Sequence, residues 1–116
     1  MATLRLEEKP FEMEGKTYIL RCNMAVMDEL QAAHDDDFGA VLRLPERQGA
    51  AEILAAMLNH YASKRNWPER WTAEDIKERF AYSYLLEQDI LGMFTRALVP
   101  GGAPDADPAP GDDEGN

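Results

Sequence analysis

Residues 11–21 read FEMEGKTYILR, a compact hairpin pattern with Glu14-Gly15 at its centre. A two-residue turn there would place Phe11 directly opposite Tyr18, and glycine supplies the positive φ that such a turn requires. Because side chains alternate between the two faces of a strand, the pattern predicts one apolar face. Its members are Phe11, Met13, Tyr18 and Leu20.

The residues after this stretch favour helices, because apolar side chains recur at spacings of three and four up to Leu98. We therefore expect an α+β fold that is mainly α: an N-terminal hairpin, about four helices and a disordered acidic tail. Thr3 to Leu6 alternate and predict either a third strand at the sheet edge or a lead-in, since Pro10 interrupts the path into the hairpin. One domain should span residues 1–98, followed by the tail at residues 99–116.

Two helices are predicted in the first two thirds of this domain. Asn23 is a good N-cap for the first, over Met24 to His34. Residues 38–49 predict a connector, because Pro45 disfavours helical backbone at the residue before it. The second helix is expected from Ala50 to about Arg65 and carries a continuous apolar stripe. The stripe consists of Ile53, Leu54, Met57, Leu58 and Tyr61.

Two further helices follow a loop over residues 66–71 that contains both tryptophans. Thr72 opens a capping sequence for a helix that ends near Phe80. The last helical pattern runs from Tyr82 to Leu98. Ser83 is a candidate cap within it, so we expect a kink or break near this residue.

The charge balance restricts the kinds of partner. The chain has 116 residues, of which 45% are hydrophobic, enough for one modest core. It carries 12 basic and 22 acidic residues, for a net charge of -10, whereas a nucleic-acid-binding surface needs a basic face. Half of that net charge lies beyond Leu98, among prolines and glycines. Such a composition cannot bury enough apolar surface to offset ordering, which predicts a disordered tail and no nucleic-acid partner.

The compartment is indicated by cysteine usage and by the N-terminal residues. The single cysteine, Cys22, cannot form an internal disulfide, which fits a reducing cytoplasm, and we expect it to be a buried structural thiol. Residues 1–8 lack the basic and apolar regions of a secretory signal. No stretch approaches the roughly 20 apolar residues of a membrane span. We expect an intracellular protein without a membrane partner.

The motifs predict no catalytic centre, no metal site and no bound cofactor. His34 and the three aspartates after it lack the glycine and the distal glutamate of a calcium loop, which favours a solvated helix end. His60 has a lysine at the i+4 position, where a second metal ligand would be expected. Glu87 and Asp89 point to different sides of a helix and make a poor acid/base pair. The sequence therefore favours a binding protein over an enzyme.

The large side chains in and near the tryptophan loop have two interpretations. Tryptophan and arginine are enriched in interaction hot spots, and flexible methionines suit a surface that holds variable partners. The same tryptophans and methionines can be ordinary core residues, which is the interpretation that we favour for them. The candidate partner-binding residues are Met57, Tyr61, Trp67, Trp71, Met93 and Phe94.

With the hairpin of residues 11–21 and the helices that follow it, the chain resembles the tail assembly chaperones of long-tailed bacteriophages and prophages. These small proteins tend to open with a hairpin of acidic, glycine, lysine and aromatic residues, as residues 14–18 do here, and continue with helices. The resemblance spans residues 3–98 and is a pattern of elements, not a chemical motif.

The resemblance implies a non-enzymatic role in the cytoplasm of a bacterial host. Such a chaperone would keep the long helical tape-measure protein soluble and would recruit tail-tube subunits before they polymerise. Its binding site would be an apolar groove on the helical face that covers amphipathic helices of the client. Formation of a homo-oligomer would complete this groove.

Two other functions remain open. An acidic decoy that occupies a nucleic-acid-binding protein is compatible with the net charge, although such an inhibitor needs carboxylates on the folded surface. Removal of residues 99–116 would test it, because a decoy on the folded part would survive the cut. A small enzyme or a regulatory protein-interaction module is the other alternative, and a deep polar pocket would indicate it.

Overall fold

A computed structural model describes residues 6–99 of the chain. The strand or lead-in predicted over Thr3 to Leu6 therefore lies outside the described residues, except for Leu6. The predicted tail over residues 99–116 also lies outside them, except for Val99. The described part holds a two-stranded antiparallel sheet and six helices, which confirms the predicted α+β, mainly α class. The elements are β1 (Lys9–Met13), β2 (Lys16–Leu20), α1 (Met24–Ala32), α2 (Phe38–Leu42), α3 (Glu46–Lys64), α4 (Ala73–Arg79), α5 (Tyr82–Glu87) and α6 (Ile90–Leu98).

The hairpin forms with the predicted register. Phe11 lies opposite Tyr18, and the turn residues Glu14 and Gly15 have φ values of 54° and 78°, as the twist of a two-residue hairpin turn requires. All four residues of the predicted apolar face are buried. Pro10 does not interrupt the strand, contrary to the prediction, because it belongs to β1. Proline is tolerated there since β1 is an edge strand, which needs hydrogen-bond donors on one side only.

Of the features predicted for the first three helices, one cap is confirmed and one connector is wrong. The Asn23 side chain caps α1 by accepting a hydrogen bond of 2.9 Å from a first-turn N–H, and the helix ends at Ala32. The connector predicted over residues 38–49 is wrong, because it contains α2 and the first turn of α3, which begins at Glu46. Pro45 disfavours helical backbone at the residue before it but does not prevent a helix from starting after it. As the N-cap it leaves Glu46 in the first turn, where an acidic residue complements the helix dipole.

Of the features predicted for the last three helices, a second cap and one break are confirmed. Thr72 and Asp75 form a reciprocal capping box at the start of α4, with hydrogen bonds of 2.9 and 3.1 Å. The break expected near Ser83 is confirmed, because the backbone is extended at Phe80 and Ala81 and α5 begins at Tyr82; Ser83 itself is not the cap. A second interruption, which was not predicted, lies at Asp89, whose φ is 59°.

The core is built around α3, which packs against β2, α1, α4 and α6. Leu54 and Leu58 on this helix are fully buried, and so are Tyr18 and Leu20 of the hairpin. The 19 residues of α3 therefore form the central element, around which the hairpin and the shorter helices are arranged.

Two glycine-to-alanine substitutions are expected to change stability in opposite directions. Gly15 has a φ of 78° and an added Cβ would meet no neighbour, so Gly15→Ala should lower the free energy of unfolding by about 1–2 kcal/mol through backbone strain alone. Gly49 lies in α3, where an added Cβ would contact Leu44 at an ordinary 3.8 Å, so Gly49→Ala should raise it by about 0.5–1 kcal/mol. Urea unfolding followed by circular dichroism measures both changes. If Gly49→Ala lowered the free energy of unfolding instead, this would contradict the start of α3 at Glu46, before Gly49.

Candidate protein-binding groove

Four of the six candidate partner-binding residues lie in the core. The exposed fraction is 1% for Met57, 2% for Met93, 7% for Phe94 and 9% for Trp71. In this conformation these side chains stabilise the fold and offer almost no surface to a partner. Their burial favours the interpretation of them as core residues.

The other two candidates, Tyr61 and Trp67, are partly buried members of an aromatic cluster. Trp67 lies edge-on to Tyr18, with ring centroids 5.1 Å apart, and edge-on to Tyr61 at 5.6 Å. The Lys16 ammonium lies 4.7 Å from the centroid of the Trp67 ring. It also donates to Glu69 at 3.0 Å, which holds the pKa of the Glu69 carboxyl below its usual range. The rings and charges of this cluster are thus already engaged with one another.

Asn59, a residue that the sequence analysis missed, holds the tryptophan loop in place. Its side chain bonds both backbone groups of Trp71: Oδ1 accepts from the N–H and Nδ2 donates to the carbonyl, each at 2.7 Å. The indole Nε1 of Trp71 donates to the Tyr18 hydroxyl at 3.2 Å. The signal in the sequence was a polar residue directly after Leu58, at the edge of the apolar stripe.

A groove of about 420 Å³ opens between the first turns of α3, the end of α4 and the following helix α5. Three of its lining residues are buried and apolar: Ala51, Ile76 and Leu85. The partly buried lining residues are Gln48, Phe80 and Tyr82, and the exposed ones are Pro45, Arg47 and Lys77. None of the six candidate partner-binding residues lines this groove.

The chain path between α4 and α5 shapes the groove. Phe80 and Ala81 both have extended backbone, so α5 leaves α4 in a new direction instead of continuing it. The Phe80 ring stacks on Tyr84, with centroids 5.4 Å apart, and lies edge-on to Phe11 of the hairpin at 5.8 Å. These contacts hold one aromatic side of the groove in place, so the groove is preformed.

Positive charge lines the rim of the groove, although the chain has a net charge of -10. Arg47 comes from α3 and Lys77 from α4, and Lys77 has a 3.6 Å ion pair with Glu74 at the exposed surface, where such pairs are weak. The Tyr82 hydroxyl donates to Glu46 at 3.2 Å; desolvation and this carboxylate raise the pKa of the phenol. An apolar interior with a cationic rim suits a partner that carries both apolar and acidic side chains.

The reactive side chains outside the groove are engaged in local contacts. Cys22 is buried as predicted, and desolvation raises the pKa of its thiol to about 11, which keeps it protonated at neutral pH. His34 bonds to Glu52 at 2.6 Å, and His60 lies 3.3 Å from the Asn23 amide. Within residues 6–99, no group of three or more histidine, cysteine, aspartate or glutamate side chains could hold a metal ion.

The groove has three properties of ligand-binding sites, because it is concave, mostly apolar and preformed. No helix in this part of the chain combines the length and the apolar character needed to cross a membrane. In comparisons with known proteins, the chain matches no family model, no curated protein and no solved structure.

Proposed function

We propose that this protein is a non-enzymatic tail assembly chaperone of a long-tailed phage or prophage, acting in the cytoplasm of the bacterial host. It binds the tape-measure protein, keeps it soluble and helps to recruit tail-tube subunits. Two observations support the proposal: the resemblance of residues 3–98 to this family, and the groove between α3, α4 and α5.

The groove is the observation that carries the proposal. A client helix would insert apolar side chains, spaced three and four residues apart, into a preformed apolar cleft. The volume of about 420 Å³ lies within the roughly 300–1,000 Å³ range of ligand pockets, which leaves room for a few side chains of the helix. Self-association of the chain would place several grooves along one long client and would raise the overall affinity.

Co-expression with a tape-measure protein tests this function. We expect the chain to increase the soluble fraction of the client. Tyr82→Ala removes an aromatic lining residue, and the loss of a hot spot of about 2 kcal/mol would weaken client binding about 30-fold. Leu86→Ala is the matched control, because Leu86 lies on the same helix, is 55% exposed and does not line the groove.

The possible outcomes separate the function from the site. A client that stays insoluble beside the unmodified chain would contradict the chaperone function. Equal client solubility with Tyr82→Ala and Leu86→Ala would retain the function but would place the binding site outside the groove. Thermal unfolding of both variants, measured first, shows whether each is folded at the temperature of expression.

The described surface carries both paired and exposed carboxylates, so an acidic decoy stays open as an alternative. Several carboxylates of the folded surface are partly neutralised by ion pairs, such as Glu7 with Arg96 at 2.8 Å and Glu8 with Arg21 at 3.0 Å. Other carboxylates are exposed, such as Asp28, Asp35 and Asp36, and a decoy would meet a basic partner through groups of this kind. Inhibition of a nucleic-acid-binding protein that survives removal of residues 99–116 would support the decoy instead.

A further inference from the structure

The cationic rim of the groove has a counterpart of opposite charge in the same chain. Residues 100–116 read PGGAPDADPAPGDDEGN, with five carboxylates, four prolines and no lysine or arginine. The rim residues Arg47 and Lys77 are exposed. Of the two carboxylates beside the groove, Glu46 accepts from the Tyr82 hydroxyl, and Glu74 forms an exposed, weak ion pair of 3.6 Å with Lys77 itself, which another carboxylate can replace.

We propose that residues 100–116 occupy the groove of their own chain when no partner is bound, so that this segment and a partner compete for one site. The inference rests on the proposed function because both use the same groove. It adds that residues 100–116 occupy this groove until a client binds.

The length of the segment allows this contact. Asp113 follows Val99, the last described residue, by 14 positions. At about 3.3 Å per residue, this stretch reaches about 46 Å. The longest dimension of the structure is 43 Å, so the segment is long enough for the acidic cluster of residues 112–114 to reach the groove.

The chemistry of the two surfaces is also complementary. Proline-rich segments dock into grooves lined by aromatic rings, and Phe80 and Tyr82 supply two such rings. Arg47 and Lys77 attract the carboxylates, and although each exposed ion pair is weak, the covalent tether gives the segment a millimolar effective concentration. A client with better-fitting apolar side chains would displace the segment, whereas weak partners would not.

Nuclear magnetic resonance of the full chain tests the proposal without any client. A variant with a neutralised cluster is compared with the unmodified protein; its substitutions are Asp112→Asn, Asp113→Asn and Glu114→Gln. We expect amide shift differences at groove residues such as Ala51, Ile76 and Leu85. These differences should disappear at about 1 M salt, where the Debye length falls to about 3 Å.

A matched control removes the same charge elsewhere. Its substitutions are Asp28→Asn, Asp35→Asn and Asp36→Asn, all at exposed positions that do not line the groove. Asp35 and Asp36 have positive φ values, which asparagine also tolerates. The groove amides should be unchanged in this control.

Charge reversal gives the second measurement. A synthetic peptide of residues 100–116 is titrated onto the variant with the neutralised cluster. Arg47→Glu combined with Lys77→Glu should weaken peptide binding about tenfold, and replacing the three acidic cluster residues of the peptide with lysine should restore it. Arg43→Glu combined with Lys64→Glu is the control, because these exposed residues lie outside the groove.

Two outcomes would overturn the proposal. Groove amides that do not respond to neutralisation of the cluster would show that the segment does not occupy the groove. Shift differences that grow with protein concentration would assign the segment to the groove of a second copy instead. Neither result depends on a client. If the groove amides respond to neutralisation of the cluster but co-expression does not solubilise the client, only the chaperone function is rejected.

Discussion

Replacement of Leu54 by alanine is expected to lower the free energy of unfolding by about 2–5 kcal/mol. Leu54 is fully buried on α3, so the substitution removes apolar contacts and leaves a cavity at the centre of the core. A domain of this size has a total stability of only about 5–15 kcal/mol. Differential scanning calorimetry should show a fall in Tm of roughly 4–8 °C for each kcal/mol lost.

The matched control for this variant is Leu42→Ala. Leu42 is 56% exposed at the end of α2, so the same chemical change should alter the free energy of unfolding by no more than about 0.5 kcal/mol. If the two variants were equally stable, α3 would not be the centre of the core.

Replacement of Trp71 by alanine is expected to cost about 3–5 kcal/mol. Trp71 is buried, its indole donates to the fully buried Tyr18 hydroxyl, and the Arg79 guanidinium lies 4.8 Å from its ring centroid. The substitution removes the ring and leaves the Tyr18 hydroxyl without this donor. Urea unfolding followed by circular dichroism measures the loss.

Tyr18→Phe separates the hydrogen bond from the packing of Trp71. It keeps both rings but leaves the Trp71 indole N–H without its acceptor, so we expect a loss of about 1–3 kcal/mol, smaller than that of Trp71→Ala. A Trp71→Ala variant that unfolds normally but no longer solubilises the client would contradict the core role and restore Trp71 as a partner-binding residue.

The elements that the sequence predicts correctly depend on neighbouring residues. The turn at Glu14-Gly15 requires a backbone conformation that glycine adopts easily. Asn23 and Thr72 each bond a backbone N–H three residues further along the chain. Such contacts need no knowledge of the rest of the chain, and for that reason the hairpin register and both caps could be predicted.

The break before α6 depends on partners that are distant in sequence. Lys9 of β1 donates to the carbonyl of Gln88 at 2.6 Å, and Arg96 binds both Asp89 and Glu7, at 2.7 and 2.8 Å. The apolar spacing continues through the break, so the pattern alone predicted one continuous helix there. The contacts of Lys9 and Glu7 with this region come from the start of the described chain, and no pattern of neighbouring residues predicts them.

The sequence by itself determined the hairpin, the capped starts of α1 and α4, and the supply of apolar residues for one core. Only the tertiary structure decided which of those residues remain accessible, because burial depends on which helices pack together. Met57 and Trp71 are therefore core residues, although their chemistry also suits an interface. Arg47 and Lys77, which no local pattern connects, line one groove because α3, α4 and α5 meet there.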